Sequence, residues 1–145
     1  MADRFVFDTE ALIAFLYDEP GHENVANLLK PVFEGDATGY VDAINASEVF
    51  YLVARFEGTE GSPTEDSFRV ADRDVRALER RGLDVERANW RLVGEIGADG
   101  HISIADAHAV ALAAEKDATL VAGGDDDFDS LPVDIDVERF REDGV

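Results

Sequence analysis

The sequence predicts an α/β fold in which a parallel sheet is covered by helices on both faces. Short apolar runs alternate along the chain with stretches whose apolar residues recur at helical spacing. That alternation implies parallel strands joined by crossover helices. The length of 145 residues suits a single domain spanning positions 1–145, large enough to bury about 70% of the surface its unfolded chain exposes. Hydrophobic residues make up 46%, as in ordinary globular folds, and there is no cysteine. Disulfide scaffolds, cysteine-based zinc sites and thiol catalysis are thereby excluded.

Phe5-Val6-Phe7 is an apolar run ending at Asp8 and reads as the first strand. Ala11, Leu12, Phe15 and Leu16 follow at helical spacing, and Glu19-Pro20-Gly21 stops that helix. Val25, Leu28 and Leu29 fit a second helix, ended by Pro31. Thr38 to Val41 reads as a strand. Ala46 to Phe56 reads as a helix with Val49, Val53 and Phe56 on one side. Gly58, Gly61, Ser62 and Pro63 crowd into a loop. Thr64 to Arg81 reads as a helix with a sparse apolar side of Phe68, Val75 and Leu78, ended by Gly82. A strand at Leu83 to Val85, a helix at Trp90 to Ile96, an alanine-rich helix at Ile104 to Glu115 and a strand at Ala118 to Ala122 follow. Val133 to Val137 alternates strictly, which suits a half-exposed edge strand.

Thirty-three acids face thirteen bases, for a formal net charge of −20, and the bases are arginines apart from Lys30 and Lys116. At low ionic strength such a field repels polyanions. At molar salt the Debye length falls to about 3 Å and the repulsion largely disappears. Many acids with almost no lysine read as adaptation to a salt-saturated cytoplasm, as in a halophilic archaeon, and not as a clue to the ligand. The segment Met1 to Phe7 has no long apolar run, and no stretch approaches the roughly 20 apolar residues that span a bilayer. The expectation is a soluble, cytoplasmic protein with no membrane role.

Four acids fall at one edge of this scheme. Asp8 follows the first strand. Glu48 lies in the first turn of the helix after the second strand. Asp106 lies in the first turn of the alanine-rich helix, and Asp125 follows the Ala118–Ala122 strand across Gly123-Gly124. In parallel sheets, sites form beyond the carboxyl ends of the strands. Singly, each acid has a structural role open to it: Asp8 as a helix cap, Asn45 to Glu48 and Ser103 to Asp106 as capping boxes, Asp125 in a solvated turn. Capping does not require all four to converge. Converging carboxylates repel, and burial penalises their charge further, so a bound divalent cation is the usual resolution. Oxygen ligands without cysteine or clustered histidine point to Mg²⁺ or Mn²⁺. Such ions activate water and orient a phosphodiester.

These residues resemble the PIN-domain family, particularly its VapC-type toxin ribonucleases, over nearly the whole chain. Asp8-Thr9 with Ala11-Leu12 looks like the opening strand, acid and hydroxyl, and Leu16 to Gly21 is similar to the segment closing the first helix. Ser47-Glu48-Val49, Ile104-Ala105-Asp106 and Leu120-Val121 through Asp125-Asp126-Asp127-Phe128 resemble the second, third and fourth acidic motifs. The resemblance implies a three-layer α/β/α sandwich with a five-stranded, mostly parallel sheet. It also implies Mg²⁺- or Mn²⁺-dependent endoribonuclease activity on RNA, an inhibitory antitoxin partner and frequent homodimerisation. Asp8, Glu48, Asp106 and Asp125 would be the acidic quartet holding the metal, with Asp8 and Asp106 its most direct ligands. Asp127 would assist through water, and Thr9 would orient Asp8 or a bound phosphate. One position departs from the pattern: Gly123 stands where the family commonly has a threonine or serine, leaving Asp125 and Asp127 as alternatives for the fourth acid.

Weaker signals remain. Arg69, Arg73, Arg76 and Arg80 share one helix face, either to contact RNA backbone or as a solvated face with pairs such as Glu65–Arg69 and Asp72–Arg76. His22, His101 and His108 are scattered, and Trp90 and Phe68 read as core or interface. Three rival readings stand beside the toxin: an RNA-processing PIN nuclease without an antitoxin, a degenerate module that binds metal or a partner, and a phosphoacceptor domain. The last would want a lysine near the final strand, where neither Lys30 nor Lys116 lies.

Overall fold

A computed structural model describes residues 2–99, 102–123, 128 and 130–141. The strands are β1 (Arg4–Phe7), β2 (Thr38–Asp42), β3 (Leu83–Glu86), β4 (Thr119–Ala122) and β5 (Val137–Arg139). The helices are α1 (Thr9–Tyr17), α2 (His22–Phe33), α3 (Ala43–Phe56), α4 (Glu65–Arg80), α5 (Trp90–Ala98) and α6 (Ile104–Lys116). The strands form one sheet in the order β3-β2-β1-β4-β5, and every neighbouring pair is parallel.

Alternation along the strands divides the interior into two cores. Phe7, Val41 and Val121 face one side, packed with Leu12 of α1, Leu29 of α2, Val49 and Val53 of α3 and Leu78 of α4. Val6, Leu120 and Ala122 face the other, against Val93 and Ile96 of α5 and Val110 and Leu112 of α6. This is the α/β/α sandwich the sequence predicts. β1 to β2 and β2 to β3 step one way across the sheet, and the next connection returns to place β4 on the opposite side of β1. The reversal opens a crevice beyond the carboxyl ends of β1 and β4, where open α/β sheets bind their ligands.

Three predicted boundaries are corrected. Pro31 does not end α2, which continues to Phe33. Lying in the last turn, the proline costs one helical hydrogen bond, and its carbonyl accepts from the Asp36 N–H at 2.8 Å and the Ala37 N–H at 3.1 Å. Helix α3 starts at Ala43, not Ala46, because Asp42 is its cap. Glu48 therefore sits in the second turn, and Asn45 to Glu48 is not a capping box. The last strand is Val137–Arg139 and overlaps the predicted Val133 to Val137 at one residue. The alternation before it is visible in exposure, yet the ladder with β4 begins at Val137, opposite Leu120.

Asp42 is fully buried. Its Oδ1 accepts the Ile44 N–H at 2.8 Å and its Oδ2 accepts the Ala88 N–H at 2.9 Å. It thus joins the start of α3 to the loop before α5, across the edge where the site forms. Asp42→Ala removes a cap and orphans a buried donor. It should cost about 2–4 kcal/mol, read as a lower urea midpoint with an unchanged denaturant slope.

Candidate active site

Asp8 ends β1 and caps α1, with its Oδ1 accepting the Ala11 N–H at 2.7 Å. Its own N–H donates to the Val121 carbonyl of β4 at 3.2 Å, which fixes it at the crevice. The side chain is buried, 3% exposed. Burial is the main force raising its carboxyl from 3.8 to about 7; the Ala11 hydrogen bond opposes this, the charge of Asp106 adds to it, Arg141 opposes it and Glu48 adds to it.

The crevice is an open cleft of about 240 Å³ lined by Asp8, Thr9, Glu10, Glu48, Asp106 and Phe128, among others. Glu48 comes from α3, and its Oε1 accepts the Thr9 hydroxyl at 2.6 Å. Asp106 comes from the first turn of α6, where Ser103 is the cap and its Oγ accepts the Asp106 N–H at 3.1 Å. Three of the four acids singled out in the sequence therefore face one cleft. Asp125 and Asp127 lie outside the described residues, as does His101. Among the described residues, no group of three Asp, Glu or His side chains is gathered so as to hold a metal ion. The donor chemistry nevertheless fits a hydrated Mg²⁺ or Mn²⁺, which is bound through one or two carboxylates and keeps several waters. A buried carboxylate with two acids acting on it gains from any cation that displaces its proton.

Asn45, buried in α3, is the residue that sequence reasoning missed. Its Nδ2 donates to Thr9 Oγ1 at 3.1 Å, to Glu48 Oε1 at 3.4 Å and to the Ala105 carbonyl at 3.4 Å. One amide thus ties the Asp8 segment, Glu48 and the residue before Asp106. Its Oδ1 is buried and has no partner among the described residues. The signal for it in the sequence is spacing: Asn45 precedes Glu48 by one helical turn and so shares its face.

Three of the four arginines singled out on α4, Arg69, Arg73 and Arg76, stand beside local acids. Arg69 pairs with Asp66, Arg73 with Asp74 at 3.1 Å and Arg76 with Asp72 at 2.9 Å. The expected Asp72–Arg76 pair forms, whereas Arg69 turns to Asp66 and not to Glu65. Trp90 is not core, being 82% exposed. Phe68 is half exposed and stacks on Phe50, with ring centroids 6.0 Å apart. His22 lies 3.6 Å from Asp18, and His108 Nδ1 lies 2.8 Å from the Ile104 carbonyl, facing its own helix.

Acids from three separate elements thus line one cleft at the switch point of a parallel α/β sheet. The PIN-domain family model matches residues 5–133, and the chain belongs to that family. No curated protein matches the sequence significantly. Among solved structures it is similar to a chain of VapBC2 from Rickettsia felis bound to promoter DNA, with TM-score 0.68 and 16% identity, covering 94% of this chain and 98% of that one. It is also similar to a chain of FitAcB from Neisseria gonorrhoeae, with TM-score 0.63, 20% identity and coverage of 94% and 97%. A third is VapC20 of Mycobacterium tuberculosis, described as a sarcin-ricin loop cleaving toxin, with TM-score 0.56, 17% identity and coverage of 80% and 86%. At these identities the likeness establishes the shared fold. Among the described residues no helix is long and apolar enough to cross a membrane.

Two consequences are measurable. Because the folded carboxyl of Asp8 titrates at about 7 against an ordinary 3.8, the metal-free folded state holds an extra proton between those values. The resulting stabilisation, at most about 4 kcal/mol, is complete below the unfolded value and lost as pH rises through 7. The melting temperature of the metal-free protein should fall from pH 5 to pH 8, more steeply than in Asp8→Asn. Asn45→Ala should cost about 1–3 kcal/mol in urea unfolding, since it leaves Thr9 and Glu48 without their shared donor.

Proposed function

We propose that this protein is a Mg²⁺- or Mn²⁺-dependent endoribonuclease, the toxin component of a toxin–antitoxin pair, acting in the cytoplasm. The observation that carries the reading is the convergence of Asp8, Glu48 and Asp106, from three separate elements, on one cleft at the sheet's switch point. Membership of the PIN family and the VapC fold support it. Asp8 and Asp106 are the direct metal ligands, with Glu48 completing the set. Asp125 is the fourth acid, with Asp127 assisting. When bound, the metal supplies positive charge for the scissile phosphate and acidifies water.

The chain's own residues do the rest. The Ala11 N–H holds one oxygen of Asp8 in place, so that carboxylate does not reorganise as the phosphate arrives. Thr9 donates to Glu48 and Asn45 donates to both, fixing Glu48 toward the cleft. No nucleophilic side chain is required; water attacks phosphorus, and the products carry 5′-phosphate and 3′-hydroxyl ends. The partners are an RNA substrate, a cognate antitoxin and a second copy of the chain. Exposed Trp90, Ile104 and Phe56 supply apolar surface for protein contacts.

A second reading, a PIN module that binds metal or a partner but does not cut, is favoured by Gly123, which stands where the family commonly carries a hydroxyl. One experiment separates the two: cleavage of end-labelled structured RNAs in high KCl, with and without Mn²⁺, wild type beside Asp106→Asn. The expected result is metal-dependent cutting that falls by about 10²–10³ in the variant. Equal cutting by both proteins would remove Asp106 from the site. No cutting by a folded, antitoxin-free wild type would favour the binding module.

A further inference from the structure

Arg141 is held in place far from its neighbours in sequence. Its guanidinium pairs with Glu10, and its Nη1 donates to the Pro20 carbonyl at 3.3 Å. It also sits 5.1 Å from the centre of the Phe140 ring. The segment carrying it is docked as well: the Phe140 N–H donates to the Ala122 carbonyl at 3.0 Å, and Asn24 Nδ2 donates to the Phe140 carbonyl at 2.9 Å.

Two glycines make room for this arrangement. Gly21 has φ +87, and a Cβ there would fall 2.5 Å from the Phe140 carbonyl oxygen and 2.9 Å from Arg141 Cβ. At Gly123 a Cβ would fall 2.5 Å from Glu10 Oε2. The Glu10 carboxylate thus fills the ground beside the end of β4 that a side chain at position 123 would take. Glu10 lines the same cleft as Asp8, and the positive charge of Arg141 acts on Asp8.

A fixed cation beside a carboxylate cluster competes with a metal ion. We propose that Glu10 is a positioning residue of the cleft: pinned between Gly123 and Arg141, its carboxylate neutralises that arginine and so preserves the negative potential with which Asp8, Glu48 and Asp106 attract a divalent cation. The inference rests on the metal-site reading above. It assigns Glu10 and Arg141 opposite effects on cation affinity, which a merely structural ion pair would not have. Breaking a structural pair from either side loosens the same contact and shifts binding in the same direction.

The test is Mn²⁺ titration by calorimetry on the full chain at low salt, with each variant first shown to melt cooperatively. Glu10→Gln should weaken Mn²⁺ binding about three- to tenfold, because Arg141 is then uncompensated. Arg141→Met should tighten binding by a similar factor, and Arg141→Lys, which keeps the charge, should stay near wild type. Should Arg141→Met fail to fold, Arg141→Gln replaces it with the same expected sign. Gly123→Ala should weaken binding by displacing Glu10, and should do nothing further in a Glu10→Ala background, where no carboxylate is left to displace. Shifts of the same sign in Glu10→Gln and Arg141→Met, or no shift in either, would overturn the inference while leaving the metal site standing if Asp106→Asn still loses Mn²⁺. Failure of the wild type to bind Mn²⁺, or equal binding by Asp106→Asn, would overturn both.

Discussion

A single buried carboxylate constrains the rest of the molecule. Asp8 must stand where β1 ends and α1 begins, because it caps that helix and its N–H belongs to β4. Its side chain is nearly buried, and the acids nearby share its sign. A helix N-terminus offers it partial positive charge and one hydrogen bond, which favour the carboxylate and offset part of the desolvation, so that the carboxyl titrates at about 7. Such a group is poised between two partners, a proton or a cation. The sheet order decides what else is present: because the connections reverse direction at β1, α3 and α6 bring Glu48 and Asp106 to the same crevice.

The large negative charge of the chain has a local structure of its own. On α4, Arg69, Arg73 and Arg76 stand next to aspartates of the same helix, so most of that face's positive charge is compensated at the surface, where each pair contributes little to stability. Near the cleft the arrangement differs. Arg141 is drawn from the far end of the chain and bound by a carboxylate, a carbonyl and an aromatic ring. Asn45 plays the neutral counterpart inside, a donor shared among a hydroxyl, a carboxylate and a carbonyl. Around Asp8, therefore, charge is managed by position, while over the outer surface it is diluted by solvent and salt.

Much of the fold, and three acids of the cleft, can be read from residue order alone. Phe5-Val6-Phe7 and Ala118 to Ala122 are short, apolar and β-prone, and a strand is the simplest home for such runs between helices. Ser103 announces the start of α6, and its hydroxyl does cap Asp106. Pro31 misleads because its penalty is one lost hydrogen bond and not an obligatory stop: α2 runs only two residues past it, and the proline's carbonyl is taken up by the Asp36 and Ala37 N–H groups. Asp42 goes unnoticed because nothing local distinguishes an acid at a strand's end from a solvated one; its second partner, Ala88, is remote in sequence.

The succession of strands and helices, and the placing of acids where strands give way to helices, are written in the chain's local pattern. They follow from hydrophobic periodicity and capping chemistry, which act over a few residues. Packing alone settles that Asn45 bridges Thr9, Glu48 and Ala105, that Glu10 takes the space Gly123 leaves open, and that Arg141 returns to meet it. Those contacts join residues far apart in the chain, and a residue's spacing to its neighbours carries no record of which remote group the fold will set against it.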